Sequence, residues 1–590
     1  MQTSASRIQI PGQSLLRSRS RLKHVFPRRP ESRSSLTTLT STTAVHQNVI
    51  SDFCAFERRV HMDMGAICLP WDFSAREEVP CDPVHTQTMS PLRMWILSAS
   101  LLLWTLGAWG LSVDATAHKD ASVLILGGGV AGVIAARTLH AKGITNFTIV
   151  EAKGELGGRM SSQSFGAPGK QITLELGANW VQGTQTGDGP ANPIWTLAQK
   201  HGLHTHFNDW YGSISTYGAT GPSDFVDEFN DSVDAYTNLT IAAGARVDKR
   251  LVDGTARTGY SLIGAKSQTA QAMASEYYQF DWEYAQTPEQ SSWIASSWGN
   301  NFTYNTDVGG FGDDNQMALD QRGFKYLIQA EASEFLQPHQ VRLNTTVKKI
   351  MYSNSGVEVE LVSGETLHAD YALCTFSLGV LQHDDVVFQP TLPDWKQEAV
   401  QSMVMATYTK IFLQFPEKFW FDTEMALYAD SERGRYPVWQ SLDHENFFPG
   451  SGIIFVTVTG DYSQRIEALP DSQVQEEVLG VMRAMFPNVT IPEPLAFHFP
   501  RWHSDPLFRG SYSNWPASFF SEHHENLRAN VGERLWFAGE ATSQKYFGFL
   551  HGAYFEGLDV GTSLAKCIQR GGCAGMQHVT EIQNPRPYQT

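Results

Sequence analysis

Three features predict a mixed α/β (α+β) protein with a Rossmann-type dinucleotide-binding unit near its start. They are a short apolar strand entering a G-x-G-x-x-G turn, a helix-forming stretch after it, and a second strand ending in an acid. The strand is Ser122-Val123-Leu124-Ile125-Leu126, an unbroken apolar run of the kind a buried strand shows. The turn is Gly127-Gly128-Gly129-Val130-Ala131-Gly132. Gly127 permits the tight bend, Gly129 lets the backbone approach a pyrophosphate, and Gly132 lets the helix pack closely on the strand. Ala131 lies on the same phosphate-facing turn. The helix is expected over Val133 to Lys142, stopped by Gly143. Its N-terminus directs unpaired N–H groups at phosphate. Phe147-Thr148-Ile149-Val150 forms the second strand. Glu151, 19 residues past Gly132, is placed to accept the hydroxyls of an unphosphorylated ribose. A second glycine turn, Gly157-Gly158-Arg159, follows closely, and its Arg offers forked donors to the pyrophosphate. A surface turn with a solvated Arg is the alternative reading of that tripeptide.

Composition sets the wider bounds. The 590 residues suffice for two or three domains, and 42% hydrophobic content supports a sizeable core. A formal charge of −17 argues against nucleic acid and is compatible with a cationic partner. Residues 1–50 carry eight Lys/Arg and one acid, Glu31, among many Ser and Thr, so residues 1–88 read as a non-globular or misassigned extension. Within 89–117, Arg93, the apolar stretch from Trp95 to Leu106 and Ala115-Thr116-Ala117 have the layout of a cleaved secretory signal. The expectation is therefore a secreted glycoprotein without a stable membrane anchor. An uncleaved anchor through 94–113, or an organellar address if 1–88 is genuine, is the alternative. Sequons at Asn146, Asn230, Asn238, Asn301, Asn344 and Asn488 fit secretion. Cys567 and Cys573 are close enough to bridge, and Cys374 reads as a buried thiol. No spacing suggests a metal site.

From Glu151 onward the chain resembles the flavin-containing amine oxidases, and most closely the polyamine oxidases. The resemblance rests on Gly157-Gly158-Arg159, on Glu175-Leu176-Gly177-Ala178-Asn179-Trp180-Val181-Gln182-Gly183, on Asn192-Pro193-Ile194-Trp195, and on Glu283-Tyr284. It continues through Tyr408-Thr409-Lys410-Ile411-Phe412, Trp502, Gly510 to Pro516 and Phe537 to Ser543, and covers about residues 120–567. It implies a Rossmann-type FAD-binding domain from 118–195, 310–390 and 510–575. A sheet-plus-helices substrate-binding domain from 196–309 and 391–509 interleaves with it, and 576–590 form a tail.

The resemblance also implies roles. Val347 would contact the adenine through its backbone, Glu540 the ribityl or ribose region, and Trp502 the cofactor. Lys410 would hold a water at flavin N5. Tyr284 and Phe549 would sandwich the substrate against the flavin, and Glu283 would hold its cationic tail. Gln182 departs from the pattern: plant members carry Glu there and animal members His, and an amide cannot titrate. No Cys lies in the Gly510 to Pro516 stretch, so FAD is expected to bind non-covalently. The expected reaction is oxidation of a C–N bond of spermine, spermidine or their N-acetyl forms by O2 and water, giving an aldehyde, an amine and H2O2. A monoamine or L-amino acid oxidase, or an inactive FAD-binding protein, is the alternative. An L-amino acid would need an Arg clamp on its carboxylate, and none is evident. Oligomeric state is not legible.

Overall fold

The computed structural model describes residues 120–573. The extension 1–88, the signal segment 89–117, the alternative anchor 94–113 and the tail 576–590 lie outside the described residues. Among those described, no helix is long and apolar enough to cross a membrane.

The first sheet has five parallel strands, in the order Val341–Arg342, Phe147–Val150, Val123–Leu126, Tyr371–Cys374 and Leu535–Phe537. In-register pairing brings Leu126, Val150 and Cys374 to a common carboxyl edge, and Cys374 pairs onward with Phe537. In open α/β sheets ligands bind at that edge. The helix after the glycine turn runs Val130–Ala141, starting three residues before the expected Val133, because Val130, Ala131 and Gly132 of the motif already form its first turn. The closing helix, Leu550–Gln569, lies against it. Glycines set the spacing: a Cβ on Gly557 would meet the Ala131 carbonyl oxygen at 2.5 Å, and one on Gly561 would sit 3.1 Å from Ala135 Cα. The Cys567–Cys573 disulfide closes the far end of this helix.

A four-stranded sheet packs over the other face of the parallel sheet. Its strand Gly356–Leu361 alternates valines and leucine inward with acids outward, as its sequence predicts. A seven-stranded mixed sheet forms the second body. Its order is Ala496–His498, Tyr408–Gln414, Ile453–Thr459, Val438–Ser441, Met425–Ala429, Ile214–Gly218 and Gly221–Pro222. All seven residues of Ile453–Thr459 are buried, and so are six of Tyr408–Gln414. Two small sheets tie the bodies together: Val404–Ala406 with Tyr512–Asn514, and Trp180–Gln182 with Asn315–Ala318 and Thr205–Phe207.

Candidate active site

A single long cavity of about 460 Å³ runs from the carboxyl edge of the parallel sheet to the seven-stranded sheet. Its first half is lined by Gly127, Gly129, Ala131, Glu151, Arg159 and Val347, and Trp502 and Glu540 lie further along. Gly127 has φ +110°, a conformation other residues rarely adopt. A Cβ on Gly132 would strike the Gly127 carbonyl oxygen at 2.1 Å, so Gly132 serves the close helix–turn contact and does not line the cavity. Gly129 is different. A Cβ there would meet only Gly158 Cα, at 3.8 Å. The protein leaves room for a side chain at Gly129, so the glycine keeps the backbone open to a ligand. The two glycine turns face each other across this point, and no side chain caps the helix that starts at Val130. A narrow groove with bare helix amides, flanked by an acid and an Arg, suits a dinucleotide such as FAD.

Glu151 is buried, and its carboxylate accepts from Gly128 N at 2.7 Å and Lys153 N at 2.7 Å. These bonds fix the acid at the strand end, with capacity left for a hydroxyl donor. Arg159 donates to Glu540 Oε1 at 2.8 Å and to the Ser511 carbonyl at 2.9 Å. Glu540 in turn accepts from Ser513 Oγ at 2.5 Å and Gly548 N at 2.8 Å. Arg159 and Glu540 therefore form one clamp, which ties the second glycine turn to the loop carrying Phe549.

The second half of the cavity is aromatic. Lys410 stands on its wall, 2% exposed. Its Nζ donates to the Gly177 carbonyl at 2.6 Å, Asn179 Oδ1 at 2.6 Å and the Glu175 carbonyl at 3.1 Å. These three acceptors match the three donors of an ammonium. Burial nevertheless pulls its pKa down to about 7, with the Glu175 carboxylate opposing. The Trp180 ring centre lies 5.2 Å from Nζ.

Glu283 lies on the short helix Asp281–Tyr284 and lines the same space. Burial raises its pKa to about 7, and among the described residues its carboxylate has no hydrogen-bond or ion-pair partner. The neighbouring Asp281 is committed to Arg433, at 2.6 and 3.0 Å. Gln182 lines the cavity with its side chain beside the Tyr304 hydroxyl. Its carbonyl accepts from Asn192 Nδ2 at 2.9 Å.

Tyr284 and Phe549 both line the cavity, but they are held differently. The Tyr284 hydroxyl is engaged by Tyr236 at 2.6 Å and by the Ser296 carbonyl. Phe549 stacks on His551 at 4.9 Å between centres. Asn192 Nδ2 approaches His551 Nδ1 at 3.4 Å, so Nδ1 accepts and Nε2–H faces Thr303 Oγ1 at 3.1 Å. Burial drops the His551 pKa to about 3, so this ring is neutral and acts as a platform.

Sequence reasoning missed part of this wall. Tyr408, Tyr512, Trp180, Trp210 and Trp282 all line it. Tyr408 had a signal, since residues two apart on a strand share a face with each other and here with Lys410. Trp210 had none. The free thiol Cys374 lies within its strand, its pKa pushed up to about 12 by burial.

A family model described as flavin containing amine oxidoreductase matches residues 130–561. The chain is 35% identical over 472 residues to polyamine oxidase 6 of Oryza sativa subsp. japonica, which covers 76% of this chain and 92% of that protein. It is 36% identical over 474 residues to polyamine oxidase 1 of Zea mays, covering 76% and 91%. Lysine-specific histone demethylase 1 homolog 2 of Oryza sativa subsp. japonica is 29% identical over 456 residues, covering 75% of this chain and 57% of that protein.

Proposed function

The chain belongs to the flavin-containing amine oxidoreductases and uses FAD, and from this premise we propose that it is a polyamine oxidase. Its reaction would convert a secondary amine carbon, O2 and water to an aldehyde, a shorter amine and H2O2. The observation that carries this reading is the pairing of one unpartnered acid, Glu283, with one buried amine, Lys410, on the same aromatic cavity.

When bound, FAD supplies the acceptor for the electron pair and hydrogen that leave the carbon beside nitrogen. The protein has to deliver that nitrogen uncharged. Polyamine nitrogens ionise at about 10, like Lys, so one proton must be removed while the distal nitrogens stay charged. The Glu283 carboxylate is suited to hold a distal ammonium because, among the described residues, no protein cation pairs with it. The indole and phenol faces of Trp180, Tyr408 and Tyr512 exclude water and favour the neutral form of the reacting amine. Lys410, poised near neutrality, can take up or return a proton at Nζ. Its ammonium has all three donors engaged. Its neutral form frees a lone pair, so proton uptake there is coupled to a full set of acceptors already in place.

Gln182 adds no charge, so in the aromatic half of the cavity the substrate tail would rest on Glu283. The polyamine names of the relatives in rice and maize support the substrate class. The secretory route is part of the same proposal. Five of the six sequon asparagines, all but Asn301, are exposed, and Cys567–Cys573 is a disulfide. N-terminal sequencing of exported protein, with a mass shift on glycosidase treatment, tests that route. Retention of residues 1–88 would overturn it.

Anaerobic bleaching of the flavin absorbance tests the activity. Spermine, spermidine, N-acetylspermine, a simple monoamine and an L-amino acid are added separately. Rapid bleaching by a polyamine is the expected result. Bleaching by the monoamine or amino acid alone would overturn the substrate class.

A further inference from the structure

One buried side chain gathers the aromatic wall. Asn208 is 1% exposed, between the strand Thr205–Phe207 and Trp210. Its Oδ1 accepts from Trp180 Nε1, Trp210 Nε1 and Gln440 Nε2, each at 2.9 Å. A carbonyl oxygen has two lone pairs, so three donors exceed its ordinary share. The other end of the amide explains how it carries them. Asn208 Nδ2 donates at 2.7 Å to Glu424, which is 2% exposed. The same carboxylate accepts from Asp209 N at 2.8 Å and Asn446 Nδ2 at 2.7 Å, and among the described residues it has no Lys or Arg partner. A carboxylate on the N–H side polarises the amide and enriches Oδ1, which strengthens each bond it accepts. The backbone joins in: Asn208 N donates to the Asn315 carbonyl at 3.0 Å, on the strand that pairs with Gln182.

Both indoles held by Asn208 line the cavity, and the Trp180 ring is the one that Lys410 Nζ lies over. Trp282 completes the group edge-on, 5.7 Å from Trp180 and 4.9 Å from Trp210. We propose that Asn208, polarised by Glu424, is a positioning residue for amine oxidation: it fixes the two indoles that wall the amine end of the cavity and set the face beneath Lys410. The proposal rests on the amine-oxidase reading of the cavity. Asn208 touches no substrate itself; it acts through Trp180 and Trp210.

The test uses the FAD-loaded enzyme and three variants. In Asn208→Ala both indoles lose their acceptor. The amine KM should rise about tenfold or more while kcat changes less than about threefold, and the near-ultraviolet circular dichroism of the indoles should weaken. Asn208→Asp keeps shape and acceptor but sets a second carboxylate beside Glu424, so it should also be impaired. Glu424→Gln removes the charge but keeps an oxygen for Asn208 Nδ2 and Asp209 N, with the new N–H turned to the Asn446 amide, which can flip to accept it. Its KM should rise about three- to fivefold, between the parent and Asn208→Ala, with a partial loss of the indole signal. A packing role alone predicts no such effect. An unchanged KM and indole spectrum in Asn208→Ala would overturn the proposal, as would a Glu424→Gln variant indistinguishable from the parent. If no amine bleaches the parent flavin, the amine-oxidase reading fails, and the indole spectra of the same variants still decide whether Asn208 holds the wall.

Discussion

Two lysines in this protein are equally buried and do different work. Lys410 lies on the cavity wall, and Lys396 lies in the helix Asp394–Ser402, 0% exposed. Each ammonium is wrapped by three oxygens. Lys396 Nζ donates to the carbonyls of Asn526, Leu527 and Ala529, at 3.2, 2.5 and 2.8 Å. These are the last carbonyls of the helix Ser521–Arg528 and the residue after it, so Lys396 caps a helix C-terminus. It also lies 3.8 Å from the centre of the Phe537 ring. Burial lowers both pKa values. Desolvation and a saturated set of acceptors therefore do not mark a functional lysine. What separates the two is the space beside them: Lys410 borders the cavity that Glu283 also lines, whereas Lys396 is enclosed by backbone and Phe537.

Replacing each lysine by Met gives the sharpest contrast and the largest effect. Lys410→Met should lower the rate of flavin reduction about 10²- to 10⁴-fold, the range of a lost acid–base group, and cost about 1–3 kcal/mol of stability as its three acceptors lose their donor. Lys396→Met should leave turnover within about threefold. It should destabilise the fold by about 1–3 kcal/mol, because three buried carbonyls lose their donor. Rapid-mixing reduction and chemical denaturation measure the two axes. Equal losses of turnover in both variants would erase the distinction.

pH sharpens it further. Lys410 and Glu283 both titrate near 7, so raising pH through 7 frees the Lys410 lone pair and ionises Glu283. Below 7, log kcat/KM should climb with a slope approaching 2, falling to about 1 in Lys410→Met or Glu283→Gln. The stability effect of Lys410 has its own sign. Its folded pKa lies below its ordinary value of 10.5, so the folded state binds that proton more weakly than the unfolded state. Parent stability relative to Lys410→Met should rise with pH from about 7 to 10.5 and be flat below 7. A falling difference over that window would mean that Lys410 is stabilised as an ammonium.

The same two lysines show what the sequence could reveal. The first βαβ unit was legible because its glycines, strand and acid are contiguous, and each has a local steric or hydrogen-bonding reason. Lys410 was legible through the resemblance carried by Tyr408-Thr409-Lys410-Ile411-Phe412, since a strand-like run alone suits an edge lysine reaching for solvent equally well. Lys396 reads as an ordinary solvated lysine on a helix rich in polar residues, and only the fold buries it under the carbonyls of residues 526–529. The aromatic wall was illegible for the same reason. Asn208 and Glu424 are 216 positions apart, and no local pattern announces that one amide will collect two indoles. Contacts between elements distant in the chain are set by sheet order and register, which short-range periodicity does not encode.

Gln182 tests the comparison at its smallest scale. The Lys410 region differs from the Lys396 region by sharing a cavity with an acid, so adding a second acid there should strengthen the cationic site without touching Lys410. Gln182→Glu should lower KM for a triamine or tetramine about three- to fivefold and leave a monoamine within about twofold, since surface-like ion pairs contribute about 1 kcal/mol or less. The effect is capped by mutual repulsion: a second carboxylate near Glu283 raises both pKa values, so the gain should appear above pH 8 and vanish near 6.5. An equal gain for the monoamine would place Gln182 beside the reacting nitrogen instead of along the tail. The tail would then rest on Glu283 and the aromatic faces alone.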